Sequence, residues 1–105
     1  MRESVMAAKL PPLHPGEVLR EEYLKPLGLT PYALAAALDV PRTRIERLAN
    51  EETGITADTA LRLGRYFRTT PEFWMNLQDR YELETERRAL GKRLEKIEQR
   101  EAICA

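Results

Sequence analysis

Apolar residues recur at helical spacing along most of the chain, and the strict alternation typical of β-strands is absent. Prolines and glycines interrupt this pattern at short intervals, as they do between helices. These breaks lie at Pro11, Pro12, Pro15, Gly16, Pro26, Gly28, Pro31, Pro41, Gly54 and Pro71. The pattern predicts an all-α fold of five helices.

Local start and stop signals give the bounds of the first three helices. The first begins near Pro15, because proline suits a first turn, and it ends before Gly28. Thr30 is positioned as the N-cap of the second helix, which ends at Leu38. The third helix covers residues 41–50.

Two further helices follow the same rules. Thr56 caps the fourth, and Thr70 caps a long fifth helix that becomes rich in charged residues towards its end. We predict a folded domain at 14–84. A tail at 1–13 precedes it, and a charged helical extension at 85–105 follows it.

The connection between the second and third helices is short enough to predict a helix-turn-helix unit over residues 30–50. Only residues 39–41 join the two helices, and Asp39 lies where a left-handed backbone is expected, which aspartate tolerates. The residues predicted to face inward are Leu34, Ala35, Leu38, Val40, Ile45 and Leu48.

The opposite face of the third helix carries the candidate DNA-binding chemistry. Arginine pairs with guanine, asparagine with adenine, and glutamate with the cytosine amino group. Three arginines and one glutamate give residues 41–50 a local net charge of +2. The predicted DNA contacts are Arg42, Thr43, Arg44, Glu46, Arg47 and Asn50, with Thr30 and Tyr32 at the phosphate backbone. The same pattern also fits a helical hairpin with a solvated charged face.

Composition narrows the class of protein without indicating nucleic-acid binding. The chain has 105 residues, with 17 Lys or Arg and 17 Asp or Glu, so its formal net charge is zero. Apolar residues at 43% are too many for a disordered chain, and no run approaches the ~18 apolar residues of a membrane span. The single cysteine, Cys104, excludes an internal disulfide. We expect a cytoplasmic protein with no membrane partner.

Candidate catalytic residues are few. Ser4 is the only serine and His14 the only histidine, so the chain has no second histidine that could orient a nucleophile. His14 and Cys104 alone cannot make a zinc site, and no glycine-rich phosphate loop is present. We therefore expect no enzymatic activity, no metal or cofactor, and no small-molecule substrate.

An aromatic stripe on the fifth helix has two interpretations. Phe73, Trp74, Leu77 and Tyr81 have the spacing of a core face, and also that of a two-fold dimer contact. Both interpretations are satisfied if Phe73 faces the core and the other side chains face a second copy. We therefore predict a dimer interface at Trp74, Leu77 and Tyr81. A dimer is expected because two recognition helices must lie ~34 Å apart to read one face of DNA.

The remaining polar residues have simpler interpretations. His14 is predicted to cap the first helix. Arg62, Arg65 and Arg68 recur every three residues, and they are predicted to form a solvated face rather than a phosphate clamp. Cys104 is predicted to be an exposed thiol near the chain end.

Three segments resemble a known family. The runs HPGEVLREEYLKPLGLT (14–30), ALAAALDVPRTRIERL (33–48) and GITADTALRLGRYFRTTPEFWMNLQDRYELE (54–84) are similar to HigA-type antitoxins, also labelled virulence-associated protein I. These belong to the Xre/lambda-repressor helix-turn-helix class. The strings ITADTALRL and PEFWMNLQ are the most specific part of a match that spans about two-thirds of the chain.

The resemblance implies a lambda-repressor-like fold and a function. It implies a homodimeric repressor of its own operon that neutralises a HigB toxin, similar to RelE-like mRNA endoribonucleases, and that has no catalysis of its own. The family's binding positions correspond to Thr30, Tyr32, Arg42, Thr43, Arg44 and Arg47. A stand-alone repressor and a protein-binding helical module are the alternatives.

Two departures from the family pattern concern DNA binding. Many relatives have a phosphate-binding glutamine where this chain has Pro31, which lacks even a backbone donor. Many also have a glycine and basic residues where this chain has Glu51 and Glu52. Because phosphate neutralisation supplies most non-specific affinity, these residues predict weaker or more salt-sensitive binding.

Overall fold

The computed structural model describes residues 11–101, and within that range it contains helices and no strands. The five predicted helices are confirmed, and one additional short helix follows them. Their bounds are α1 at 15–27, α2 Pro31–Leu38, α3 Arg42–Ala49, α4 Ala57–Phe67, α5 Pro71–Leu90 and α6 Lys92–Glu95. Most of the predicted tail and the thiol of Cys104 lie outside the described residues.

The helix starts follow the cap chemistry expected from the sequence. Thr30, Thr56 and Thr70 each accept a hydrogen bond from a backbone amide in the first turn that follows. The predicted cap at His14 is also confirmed, because its Nδ1 accepts from the amide of Gly16 at 2.8 Å. These bonds satisfy amides that a helix itself leaves without a partner.

The first helix is less regular than the sequence pattern predicted. Its middle, Leu19–Leu24, is a π-helical segment, in which the amide of Lys25 donates to the carbonyl of Arg20 five residues earlier. Residues five apart therefore come onto the same side of the helix. Leu19 and Leu24 are both buried as a result, at 0% and 4% exposure.

Trp74 lies at the centre of the core. It is fully buried, and its indole Nε1 donates to the Thr69 hydroxyl at 2.8 Å. The rings of Tyr23 and Phe67 lie 5.1 and 6.4 Å from it. The buried apolar residues are Leu19, Leu24, Leu34, Ala35, Leu38, Ile45, Leu48, Ala49, Ile55, Ala60, Leu63 and Trp74.

This burial corrects the predicted orientation of the aromatic stripe. Trp74 has no exposed surface to offer a dimer contact, whereas Phe73 is 37% exposed. The two adjacent side chains are about 100° apart on α5, so only one of them can face the core. The structure places Trp74 inside and Phe73 outside.

The last part of the described chain is less packed. Helix α5 continues without interruption for 20 residues, and only Trp74 and Gln78 on it are buried. Gly91, with φ 52° and ψ −129°, ends the helix in a conformation that suits glycine, and the α6 residues that follow are exposed. Within residues 11–101 no helix combines the length and apolar character that crossing a lipid bilayer requires.

Candidate nucleic-acid interface

Helices α2 and α3 form the predicted helix-turn-helix unit. The turn depends on Asp39, which adopts the left-handed conformation at φ 59° and ψ 49°. The amides of Asp39 and Val40 donate back to the carbonyls of Ala36 and Ala35, at 3.2 and 3.1 Å. This pair of hydrogen bonds ends α2, and the chain enters α3 after a short link.

The inner face of α3 is packed against the rest of the domain. Ile45 and Leu48 are buried at 0% and 1% exposure, as the periodicity predicted. Gly16 at the start of α1 lies so close that a Cβ there would be 1.8 Å from the Leu48 carbonyl oxygen. Only a glycine fits this contact between α1 and α3.

Side chains from α1 and α5 fix the chain at the end of α3. Arg20 donates to the Ala49 carbonyl at 2.5 Å and to the Glu51 carboxylate at 3.0 Å. The buried amide of Gln78 accepts from the Ile55 backbone at 2.7 Å. Local patterns in the sequence gave no indication of these contacts, since each joins residues more than 20 positions apart.

The predicted DNA-binding residues form three exposed groups. Arg42 pairs with Glu46 at 3.2 Å, and its guanidinium lies 5.9 Å from the centre of the Tyr32 ring. Thr30 and Asn50 line a cavity of about 350 Å³ beside Pro31. Thr43, Arg44 and Arg47 line a groove of about 390 Å³ that continues to Thr53, Gly54 and Thr56.

Arg44 is held by a contact that the sequence analysis missed. Its guanidinium pairs with Asp58 in the first turn of α4, and Arg62 binds the same carboxylate at 3.1 Å. These two arginines hold the pKa of Asp58 below its usual range, with Arg44 the larger cause. The four-residue spacing of Asp58 and Arg62 is a detectable signal, but nothing local links Asp58 to Arg44.

Arg62 is a structural residue rather than a member of a purely solvated face. It donates to the carbonyl of Leu38 at 2.7 Å and to that of Asp39 at 3.3 Å. These are carbonyls that the end of α2 leaves without helical partners. Arg65 and Arg68 are exposed, as predicted for that face.

The acidic residues after α3 are not equivalent. Glu51 adopts a left-handed backbone at φ 63° and pairs with Arg20 at 3.0 Å, so Arg20 partly compensates its charge. Glu52 is exposed. The repulsion of phosphate expected from two carboxylates is therefore smaller than their number suggests.

The other predicted dimer residues remain partly accessible. Leu77 is half-buried against the core, and Tyr81 is half-buried with its ring edge-on to His14 at 4.7 Å. Burial lowers the pKa of His14 from its ordinary 6.5, the largest of several influences, against the raising effects of Glu51 and Glu17. The lowered pKa favours the neutral imidazole, the form whose Nδ1 can accept the cap bond.

The exposed face of α3 is rich in hydrogen-bond donors. Arg42, Arg44 and Arg47 are all exposed on or beside it, and guanidinium groups bind both phosphates and guanine edges. Among residues 11–101 no three histidine, cysteine or acidic side chains lie together as a metal site would require. The arrangement suits recognition of an acidic polymer.

Comparison with known proteins identifies relatives of the helix-turn-helix unit. Residues 21–74 match the model of a helix-turn-helix family. Virulence-associated protein I of Dichelobacter nodosus is 55% identical over 82 residues, which cover 76% of this chain and 76% of that protein.

Several of the solved structures similar to this chain were determined with DNA. One is the Pseudomonas aeruginosa antitoxin HigA with the higBA promoter, at 49% identity and a TM-score of 0.80, covering 83% of this chain and 96% of that one. Another is the antitoxin GraA in complex with its operator, at 42% identity and a TM-score of 0.82, covering 89% and 94%.

Proposed function

The chain belongs to the helix-turn-helix family and within it to the HigA-type antitoxins, and on that premise we propose that it represses its own operon and neutralises a partner toxin. The observation that carries the proposal is the anchored α3, whose outer face presents three arginines to solvent. Relatives of this fold are seen on a promoter and on an operator.

The arginines of α3 have different roles in this proposal. Arg47 and Arg44, which line the groove, contact base edges in the major groove. Arg42, at the start of α3, lies near the ring of Tyr32 in the first turn of α2, and both are positioned to contact phosphates. Thr30 and Tyr32 contribute to backbone contacts, and Asn50 lies at the far end of the reading face.

Operator reading requires two copies of the chain, and α5 offers the surface for a second copy. With Trp74 inside, the accessible apolar positions on this helix include Phe73, Leu77, Tyr81 and the 56% exposed Leu83. An antiparallel pairing centred on Leu83 brings Asp79 opposite Arg87, an attractive arrangement. These features support a homodimer that forms through the outer side of α5.

The toxin partner follows from family membership. HigA-type antitoxins pair with HigB-like toxins of the RelE-like mRNA endoribonuclease group, and the antitoxin supplies binding rather than catalysis. Co-expression with the neighbouring reading frame tests this part. A stable complex that restores growth supports it, and a chain without any toxic neighbour is a stand-alone repressor.

A salt series of binding to the chain's own promoter and to scrambled DNA of equal length tests the DNA-binding part. Tight binding to the promoter alone, weakening steeply with salt, is the expected result for an operator-reading dimer. Equally weak binding to both DNAs contradicts it. That result favours a protein-binding helical module in which Pro31 and Glu52 have removed operator affinity.

A further inference from the structure

The three arginines of α3 differ in what holds their charged groups. Arg42 pairs with Glu46 on the same helix, so that pair moves with α3. Arg44 pairs across to Asp58 on α4. Within residues 11–101 no ion pair involves Arg47. Of the three, Arg44 alone is therefore ion-paired to a neighbouring element, whereas Arg42 meets α2 only through the Tyr32 ring.

The carboxylate of Asp58 is itself fixed in place. Arg62 binds both of its oxygens, at 3.2 and 3.1 Å, and also holds the carbonyls at the end of α2. The partner of Arg44 is thus connected to the turn between α2 and α3. The Arg44 guanidinium is therefore held in a defined position relative to α3 before DNA binds.

The Arg44–Asp58 pair has little to contribute to folding. The side chains are 41% and 52% exposed, and exposed ion pairs add little to stability because water and salt screen them. Because Arg44 itself lines the groove together with Arg47, the pair points to a role in binding instead. An arginine that is free to move neutralises phosphates of any sequence, whereas a positioned one contacts only what lies before it.

We propose that Asp58 is a positioning residue for operator selectivity, which holds Arg44 at the reading groove and withholds it from phosphates of arbitrary sequence. The inference rests on the proposed function as an operator-binding protein. Asp58 touches no DNA in this scheme and acts through Arg44.

The variant Asp58→Asn tests this assignment on promoter and scrambled DNA at several salt concentrations. The freed Arg44 gains a phosphate, so scrambled DNA binds more tightly and its salt slope steepens by about one unit. Promoter binding loses a positioned contact, and the ratio of promoter to scrambled affinity falls by roughly tenfold. The charge-preserving Asp58→Glu retains most of the wild-type ratio.

Two control variants separate positioning from net charge. Glu21→Gln changes the net charge equally and also removes a carboxylate with two cationic partners, Arg20 and Lys25, but on α1. It is expected to shift both affinities together and to leave their ratio unchanged. In an Arg44→Ala background, Asp58→Asn is expected to have no further effect on the ratio.

The possible outcomes distinguish this inference from the proposed function. If the wild type binds both DNAs equally, the proposed function fails and this inference fails with it. If the wild type is selective but Asp58→Asn keeps the ratio, or lowers it equally without Arg44, only the role of Asp58 is overturned. Thermal melting by circular dichroism verifies that each variant is folded.

Discussion

The two ends of α3 are held in different ways. At its C-terminal end, Leu48 is buried, Gly16 meets its carbonyl, and Arg20 binds the Ala49 carbonyl. At its N-terminal end, the side chains of Arg42 and Arg44 are 59% and 41% exposed, and they are held by ion pairs and, for Arg42, by the nearby Tyr32 ring. Buried contacts position α3, whereas exposed contacts position the arginine side chains that are proposed to bind DNA.

This difference separates stability from recognition along a helix of eight residues. Buried contacts near Leu48 are expected to determine whether the unit folds, and the exposed arginines are expected to determine what it binds. Substitutions at the two ends should therefore change different measured quantities.

The largest expected effect is at the packed end. Leu48→Ala leaves a cavity beneath α3 and is expected to lower the free energy of unfolding by about 2–5 kcal/mol. Urea denaturation followed by circular dichroism measures this change. The matched control is Leu61→Ala on α4, where the side chain is 60% exposed and a change close to zero is expected. Similar losses in both variants would show that α3 is not anchored through Leu48.

The next effect belongs to the reading face. Arg47→Ala is expected to weaken promoter binding by roughly 1–3 kcal/mol if the guanidinium contacts a base, with the midpoint of urea unfolding unchanged. Fluorescence anisotropy with labelled promoter DNA measures it. Arg65→Ala removes an exposed arginine from α4 and serves as the control for lost charge. An equal loss in the two variants would contradict a specific role for Arg47.

The smallest expected effect is the dependence of stability on pH through the buried His14. Because burial lowers the pKa of His14 below 6.5, the unfolded chain takes up a proton there that the folded chain resists. The stabilising contribution is therefore complete above pH 6.5 and is lost as pH falls through the lower pKa of the folded chain.

His14→Asn isolates this contribution, since asparagine keeps a cap acceptor and does not titrate. Unfolding free energies measured from pH 7.5 to 5 are expected to fall faster for the wild type than for the variant. Parallel pH profiles would show that the pKa of His14 is the same in the folded and the unfolded chain.

Cap chemistry and inward-facing positions could be predicted because they depend on neighbours a few residues away. Thr30, Thr56 and Thr70 act on amides within their own first turns, and Asp39 needs only its own backbone conformation. The burial of Ile45 also follows from helical periodicity alone. The helix-turn-helix unit was therefore predictable in detail.

Contacts between distant segments could not be predicted in this way. Whether Trp74 or Phe73 faces inward depends on the rotation of α5 against helices far away in the sequence. The same holds for Asp58 with Arg44 and for Arg20 with Glu51, which are surface pairs formed only after the helices pack. The predicted DNA contacts and dimer surface await the binding experiments above.

The π-helical segment of α1 indicates where the chain could tolerate the loss of one residue. It accommodates one residue more than an α-helix would between Leu19 and Leu24. A chain lacking the exposed Glu22 would have those leucines four positions apart, the spacing of an ordinary α-helical face. Relatives one codon shorter at this point could thus keep both leucines in the core and leave the reading helix in register.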